Sequence, residues 1–475
     1  MNAGVLITGA EVEGRTVDVA IADGRISAVG RDLKVRSSQH HDAAGGALLP
    51  GLHDHHVHLL ATAAAMASVD LAAVGPGDLD GLATALRRAA TGRAAGTWLR
   101  VVGYHESIAG EVTRDLLDRF VPGHPLRMQH QTGAMWMLNS RAIAELGPAI
   151  DETRDGIERD GTGRPTGRLF RLDSWLRGHL PQSAPDLTGL DHALARLGIT
   201  GVSDMTPYED VADVGALGFA TATGDMRARV VVSGGPGLSA TRFPEPLVTG
   251  PMKIIVDDHA PPDLDVVANW ISVAHHHGRA VAIHAVTRAA AAFALAAWRH
   301  GGSRRGDRLE HGAVIPPEIA RQLAHREICV VTQPALIRDR GQSYLDDVDP
   351  DGQPHLWPCA SLLTTGVEMG AGSDSPYGPL DAWAAIETAS SRRTATGRSL
   401  GAAEAVTARR ALGLYLGDPT APGGPERTVS VGAPADLCLL DRPLADALRG
   451  PVRNHVVQTW VRGVAGVTAG RDKLN

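Results

Sequence analysis

Between Met252 and Arg393 the chain alternates two kinds of segment. Short apolar runs such as "MKIIVDD", "AVAIHAV", "DRLEHGAVI", "ICVVTQP" and "VEMGAGSD" are separated by longer helical stretches. Examples are "LDVVANWISVAHHHG", "RAAAAFALAAWRHG" and "PLDAWAAIETASSRR". A strand covered on both faces loses the in–out alternation of a half-exposed one, and parallel strands need a crossover helix between them. This pattern therefore predicts a parallel sheet with helices outside. With 475 residues the chain exceeds an ordinary domain but suits a (β/α)8 barrel carrying insertions. The expected fold class is α/β, with the barrel over 51–422.

Both ends read differently. "VLITGAEVEG" and "TVDVAIADGRISAVG" near the start alternate apolar and polar positions, and Asp23-Gly24 signals a hairpin turn. "TVSVGAPADLCLLD" and "HVVQTWVRGVAGVTAG" repeat that pattern near the end. Neither end has enough strands to close a core alone, so residues 1–50 and 423–475 are expected to pair into one small β domain. The region within about 61–200 fits the barrel alternation poorly. Its "GIERDGTGRPTGRLFR" reads as an inserted hairpin.

Composition excludes several classes. Hydrophobic residues at 43% and charged residues at 21% describe a globular chain with a large core. A formal charge of −7 without a clustered Lys/Arg run argues against nucleic acid or an anionic membrane as partner. No apolar stretch approaches the roughly 20 residues of a membrane span, and the N-terminus lacks a signal-peptide pattern. A cytoplasmic protein with a small-molecule substrate is expected. Cys329, Cys359 and Cys438 are dispersed and odd in number, so they read as reduced, buried thiols rather than disulfides or a metal motif.

Chemistry in a barrel sits at the C-terminal ends of strands. "LLPGLHDHHVHLL" places four histidines within six residues, offering two His-x-His pairs, His53 with His55 and His56 with His58. Spacing alone does not choose between them. Further on, Lys253, His284, His311 and Asp374 each end an apolar run. Intervals of 31 and 27 residues fit one βα unit each, and 63 fits two, placing the five candidates on strands 1, 4, 5, 6 and 8. Imidazole and carboxylate are ligands that zinc-type ions take. A lone strand-end histidine is ordinarily a core or hydrogen-bonding residue, so it is the set that carries weight. His275, His276 and His277 precede a helix-ending glycine and read as surface residues near a helix dipole.

These motifs resemble the metal-dependent amidohydrolase superfamily, a (β/α)8 barrel with a small β-sandwich built from both termini. "LLPGLHDHHVHLL" is similar to its Pro-Gly-x-x-Asp-x-His-x-His signature, which places the signature histidines at His56 and His58 and its aspartate at Asp54. "GAPADLCLLD" and "VVQTWVRGVAGV" resemble the family's closing strands, and "ADGRISAVG" its opening ones. "WLRVVGYHES", "MWMLNSRAI", "GRPTGRLFR" and "LARLGITGVSDM" resemble the amidohydrolase-3 branch, which contains N-substituted formamide deformylases and N-acyl hydrolases. The chain departs from that branch at Thr132-Gly133-Ala134, at Arg171 and in "HAVTRAA" after His284.

The resemblance implies two divalent metal ions, zinc or another transition metal. His56 and His58 hold one, His284 and His311 the other, and Lys253 bridges them as an N6-carboxylate. An unmodified ammonium has no acceptor and cannot ligate a cation. The alternative is one ion on His56, His58, His284 and Asp374, with His311 as an acid–base residue. In either case Asp374 manages the proton, and hydrolysis of an amide-like C–N bond in an N-acyl or N-formyl amine is expected. Ring opening of a cyclic amide or lactone, deamination and decarboxylation are the alternatives on the same metals. A non-catalytic member and an adventitious His-rich patch are the rivals outside enzymology. Asp54 is expected to orient a ligand from below. Arg171 is a candidate partner for a substrate carboxylate, and Trp136, Trp357 and Tyr377 are candidate pocket walls. A homodimer fits the family.

Overall fold

The computed structural model describes residues 2–152, 154–180, 185–257, 260–450 and 455–466. The end of the last strand-like run, 467–470, lies outside them. The chain is mixed α/β and divides into two compact units, Met1–Leu59 with Leu187–Asn475, and Leu60–Asp186. Among the described residues no helix is long and apolar enough to cross a membrane.

In the first unit, strands from both ends of the chain share a core. One sheet has the order Arg25–Gly30, Arg15–Ala22, Asn2–Val12, Arg36–Asp42. Asp23 and Gly24 turn its second hairpin with φ of 51° and 72°, matching the right-handed twist of the flanking strands. A second sheet runs Val464–Ala465, Val456–Val461, Leu437–Leu440, Leu48–Pro50. Val5, Ile7, Val19 and Ile26 pack with Leu48, Leu437, Leu439 and Trp460 in one apolar cluster. The Ile26 N–H donates to Ala433 O at 2.9 Å, so backbone bonds also cross between the chain's two ends.

"LLPGLHDHHVH" reads as one strand, yet the structure divides it at Gly51. Leu48–Pro50 pairs antiparallel with Leu437–Leu440, while Leu52–Val57 pairs parallel with Ile199–Asp204. A Cβ on Gly51 would lie 2.2 Å from Thr200 Cγ2 and Oγ1, so only glycine lets the chain change sheets there.

Two wholly parallel sheets follow. One has four strands, in the order Leu52–Val57, Ile199–Asp204, Arg229–Val232, Val248–Thr249. The other has five, Met252–Ile255, Val281–Ala285, Arg308–His311, Cys329–Thr332 and Met369–Ala371. Gly250 and Pro251 alone separate Val248–Thr249 from Met252–Ile255. At the other margin a parallel bridge joins Val57 to Ser375. Helices connect the strands as the alternation predicts. In Arg288–Gly301, Thr287 Oγ1 accepts the Ala290 N–H at 3.1 Å and caps the first turn, and a buried flank of Ala290, Ala291, Ala294, Ala297 and Trp298 faces inward.

The second unit holds more than the expected hairpin. Ile157–Arg159 and Pro165–Phe170 do pair antiparallel, with Asp160 Oδ1 accepting the Thr162 and Arg164 N–H groups in the turn. They are the edge of a six-stranded sheet that continues through Met135–Leu138, Leu126–His130, Leu99–Tyr104 and Val69–Asp70. This unit has its own apolar clusters, one around Leu82, Leu99, Val101 and Met128, another around Trp136, Leu138 and Leu169.

Candidate metal centre

Strand Leu52–Val57 sorts the four histidines by alternation. His53 and His55 turn to one side, with ring centroids 4.6 Å apart and His53 Nε2 bonded to Ser203 Oγ at 2.9 Å. His56 turns to the other, and His58 follows just beyond the strand. His56 Nδ1 contacts Glu310 Oε2 at 2.5 Å, and His58 Nδ1 contacts Thr206 Oγ1 at 3.0 Å. Holding each ring by Nδ1 leaves Nε2 free to face outward, the arrangement by which a metal-binding histidine is oriented.

Both Nε2 atoms face Asp374. Its Oδ1 lies 3.6 Å from His56 Nε2 and 3.3 Å from His58 Nε2. One donor atom from each of the three residues falls within 4.8 Å of the other two. Backbone bonds fix this meeting. The Asp374 N–H donates to His56 O at 2.7 Å, and the His58 N–H to Ser375 O at 2.9 Å. Asp54 Oδ1 accepts the N–H of both His56 and Ser373 at 3.0 Å. Asp54 therefore ties the strand to the Asp374 turn, acting through the backbone. Burial pushes its carboxyl up to about 6.

His311 and His284 stand beside this trio. The His311 ring centroid is 4.7 Å from His56 and 4.4 Å from His284. Its Nδ1 contacts Gln333 Oε1 at 2.9 Å and lies 3.9 Å from Asp374 Oδ2. His311 and Asp374 both have left-handed backbones, with φ of 71° and 55°. Such geometry at non-glycine residues is uncommon and clusters at functional sites. At His311 it ends strict alternation, so that consecutive Glu310 and His311 both reach His56.

Lys253 is 1% exposed, and its Nζ has no hydrogen-bond partner among the described residues. Burial pulls its pKa down to about 8, against the attraction of Glu310 and Asp374. Burial also lowers His56 and His284 well below the usual histidine range, and His311 to about 3. The imidazoles are thus neutral, which keeps their lone pairs available to a cation. Burial alone would raise Asp374, but the His58 hydrogen bond and the electrostatic influence of the neighbouring His311 and His56 rings hold its carboxyl well below the usual carboxylate range. Neutral imidazoles, an ionised carboxylate, a buried lysine and a buried His56 Nε2, the last two without a hydrogen bond among the described residues, fit a divalent metal ion.

Sequence reasoning missed Glu310, Arg308, Thr206 and Gln333. Glu310 Oε1 pairs with Arg308 Nε at 2.6 Å, with both side chains at 2% exposure or less. Two opposite charges in the apolar run "DRLEHGAVI" were the available signal, because such residues are buried only when paired. Strand parity hid it by assigning Glu310 to the face opposite His311.

The remaining candidates are placed as follows. The Tyr377 ring meets His58 edge-on at 5.6 Å. Trp357 is 1% exposed in a cluster with Val314, Leu336 and Leu400, its ring 4.5 Å from Tyr344. Trp136 and Arg171 belong to the second unit. Trp136 donates through Nε1 to Asp173 Oδ1 at 2.8 Å, beneath Arg100 and Arg127. Arg171 is exposed with φ of 55°. His276 and His277 are exposed, whereas His275 is half-buried and pairs with Asp307 at 2.9 Å. The three cysteines are free and buried.

Comparison with known proteins agrees with this chemistry. Over 95% of its length the chain is 29% identical to N-substituted formamide deformylase from Arthrobacter pascens, covering 96% of that protein. It is 24% identical to the putative amidohydrolase YtcJ of Bacillus subtilis (strain 168), over 87% of this chain and 88% of that one. Among solved structures, an uncharacterized metal-dependent hydrolase from Pyrococcus horikoshii OT3 superposes with a TM-score of 0.72 at 17% identity, covering 96% of this chain and 99% of that one. N-isopropylammelide isopropylaminohydrolase from Burkholderia multivorans superposes with a TM-score of 0.55 at 15% identity, each chain covered to 98%. The amidohydrolase family matches residues 39–465. By that match the chain belongs to the amidohydrolase family and is a metal-dependent hydrolase acting on carbon–nitrogen bonds.

Proposed function

We propose that the chain hydrolyses an N-acyl or N-formyl amine at a centre formed by His56, His58, Lys253, His284, His311 and Asp374. The observation that carries the reading is the convergence of His56, His58 and Asp374 donor atoms within 4.8 Å, beside an orphaned buried lysine. The relation to a formamide deformylase supports the substrate class. When bound, the metal supplies Lewis acidity toward the scissile carbonyl and lowers the pKa of water from 15.7 to about 7. His56 and His58 would hold it through Nε2, their orientation set by Glu310 and Thr206. Lys253, with its ammonium destabilised by burial, is available as the neutral amine that adds carbon dioxide and releases a proton, and the resulting carboxylate would hold metal together with His284 and His311. Asp374, ionised and turned toward His56 and His58, takes a proton from the attacking water and delivers it to the leaving nitrogen.

The fold reading extends the same way. With Val248–Thr249 and Met252–Ile255 taken as one strand interrupted at Gly250-Pro251, the two parallel sheets, bridged at the other margin through Val57 and Ser375, are the parts of one eight-stranded barrel. The terminal sheets form a β-sandwich on their shared core, and the unit Leu60–Asp186 is the insert.

A second reading rests on Asp374 itself, whose carboxylate groups with His56 and His58 as a candidate ligand. One ion on His56, His58, His284 and Asp374 follows from it. Metal per chain, measured by mass spectrometry after purification in bicarbonate without chelator, separates the two. The bridged centre requires an ion to be lost on Lys253→Ala. A wild-type count unmoved by that change refutes it and brings deamination forward. N-formyl and N-acyl amines are the first substrates to assay.

A further inference from the structure

Within Leu60–Asp186, strands Leu99–Tyr104 and Leu126–His130 lie side by side and parallel, and their register sets Arg100 directly against Arg127. Residues paired in this way share a face, so two guanidinium groups rise from one side of the sheet. Like charges placed opposite each other are destabilising. On the next strand Trp136 and Leu138 pair with Gln129 and Arg127, which puts them on that same face. Trp136, Leu138 and Leu169 pack there in one apolar cluster.

The two arginines meet over one ring. Arg127 Cζ lies 5.2 Å and Arg100 Cζ 5.5 Å from the Trp136 ring centroid, within reach of cation–π attraction. Trp136 is 4% exposed and Gln129 5%, so ring and amide make a floor beneath the charges. Arg100 is steadied by donating to Ser68 Oγ at 2.8 Å and to Gln129 Oε1 at 3.3 Å. Arg127 is half-buried, and its guanidinium makes no hydrogen bond or ion pair among the described residues. Burial and the neighbouring Arg100 pull its pKa down to about 10, against the attraction of Asp173. Asp173 is the acid that faces it, and Asp173 Oδ1 already accepts the Trp136 Nε1–H at 2.8 Å. Two positive charges thus meet one negative charge, an excess of one.

An anion of single charge balances that excess. A carboxylate is planar and accepts two parallel N–H bonds from a guanidinium fork, and Arg127 has its fork to give. A phosphate group carries about −1.5 to −2 at pH 7 and overshoots. We propose that Arg127 and Arg100, above Trp136, form a binding site for a small monocarboxylate, built wholly from residues of this unit.

The test reads Arg127 directly. Phenylglyoxal adds to an unshielded guanidinium, and peptide mapping by mass spectrometry gives the rate at each arginine. Full-length protein is stripped of metal, so that carboxylate binding at the first centre does not enter. Sodium acetate is expected to slow labelling of Arg127 relative to sodium chloride at equal ionic strength, while exposed Arg88 reacts alike in both. The acetate concentration that halves the Arg127 rate is expected to rise about tenfold or more in Arg100→Gln, the loss of one charge-assisted hydrogen bond. Equal rates at Arg127 in acetate and chloride overturn the proposal, and so does an Arg127 that reacts in neither salt. Phosphate protecting at lower concentration than acetate overturns the single-charge match. Should Arg100→Gln fail to fold by circular dichroism, Arg100→Lys takes its place, and an unchanged halving concentration refutes the part assigned to Arg100.

Discussion

Replacing Glu310 by glutamine keeps the side chain's shape and removes its charge. The structure states what that leaves behind. Arg308 is 2% exposed, and its Nε meets Glu310 Oε1 at 2.6 Å. Its other contacts are His55 O at 3.4 Å and the Met205 sulfur, and neither carries a compensating charge. Removing one member of a buried pair typically costs about 3–5 kcal/mol, mostly the desolvation of the charge that remains. The same change weakens the hold on His56 Nδ1, and loss of such a carboxylate costs about 10–100-fold in metal affinity. Stability is to be read from urea unfolding in excess chelator, so that metal linkage does not enter. Metal affinity is to be read by competition with a chromophoric chelator. Glu310→Gln combined with Arg308→Met should recover much of the lost stability, since no charge is then stranded, without recovering metal affinity. A cost for Glu310→Gln below about 1 kcal/mol, within the range of exposed pairs, would refute the claim that this pair is desolvated. Unchanged metal affinity would refute its role in orienting His56.

Other expectations follow from single contacts. Thr206→Val removes the hydrogen bond to His58 Nδ1 and should weaken metal about tenfold or more, measured by the same competition. Gly51→Ala drives a methyl into Thr200 and should cost about 1–3 kcal/mol in urea unfolding, as overpacking does. Trp298→Ala empties a fully buried position and should cost about 3–5 kcal/mol. Burial raises the Cys359 thiol to about 11 and the Cys438 thiol to about 12, and pushes Cys329 up as well. The thiolate is therefore scarce at pH 8, and a disulfide reagent should label none of the three until denaturant is added. Rapid labelling of the native protein would contradict that burial.

The site was more legible in the sequence than its supports. His56, His58, His284, His311 and Asp374 each end an apolar run, and strand ends are where a parallel α/β sheet presents side chains. The supports follow no such rule. His311 joins its neighbour Glu310 beside His56 because it abandons strand parity through a left-handed backbone, and no periodicity foretells that. Thr206 and Gln333 lie in connections after strands, where many polar residues look alike. Gly51 appeared as punctuation within one strand, whereas the structure makes it the place where the chain passes between sheets. The unit Leu60–Asp186 was hardest to read because its strands are short and split between parallel and antiparallel pairing.

The shared core of the two chain ends imposes an order on synthesis. Arg25 donates to Gly432 O at 2.8 Å across 407 residues of sequence. At roughly 5–20 residues per second, that separation takes on the order of 20–80 s to translate. Through that interval Val5, Ile7, Val19 and Ile26 have emerged while Leu437 and Trp460, which cover them, have not. The first strands made are thus among the last to be buried, and on the ribosome they form an apolar sheet awaiting its partner. Holdase chaperones should engage this nascent chain early and let go late. A stop codon before Leu437 should send the product to aggregation or proteolysis, even with every residue of the metal centre already translated.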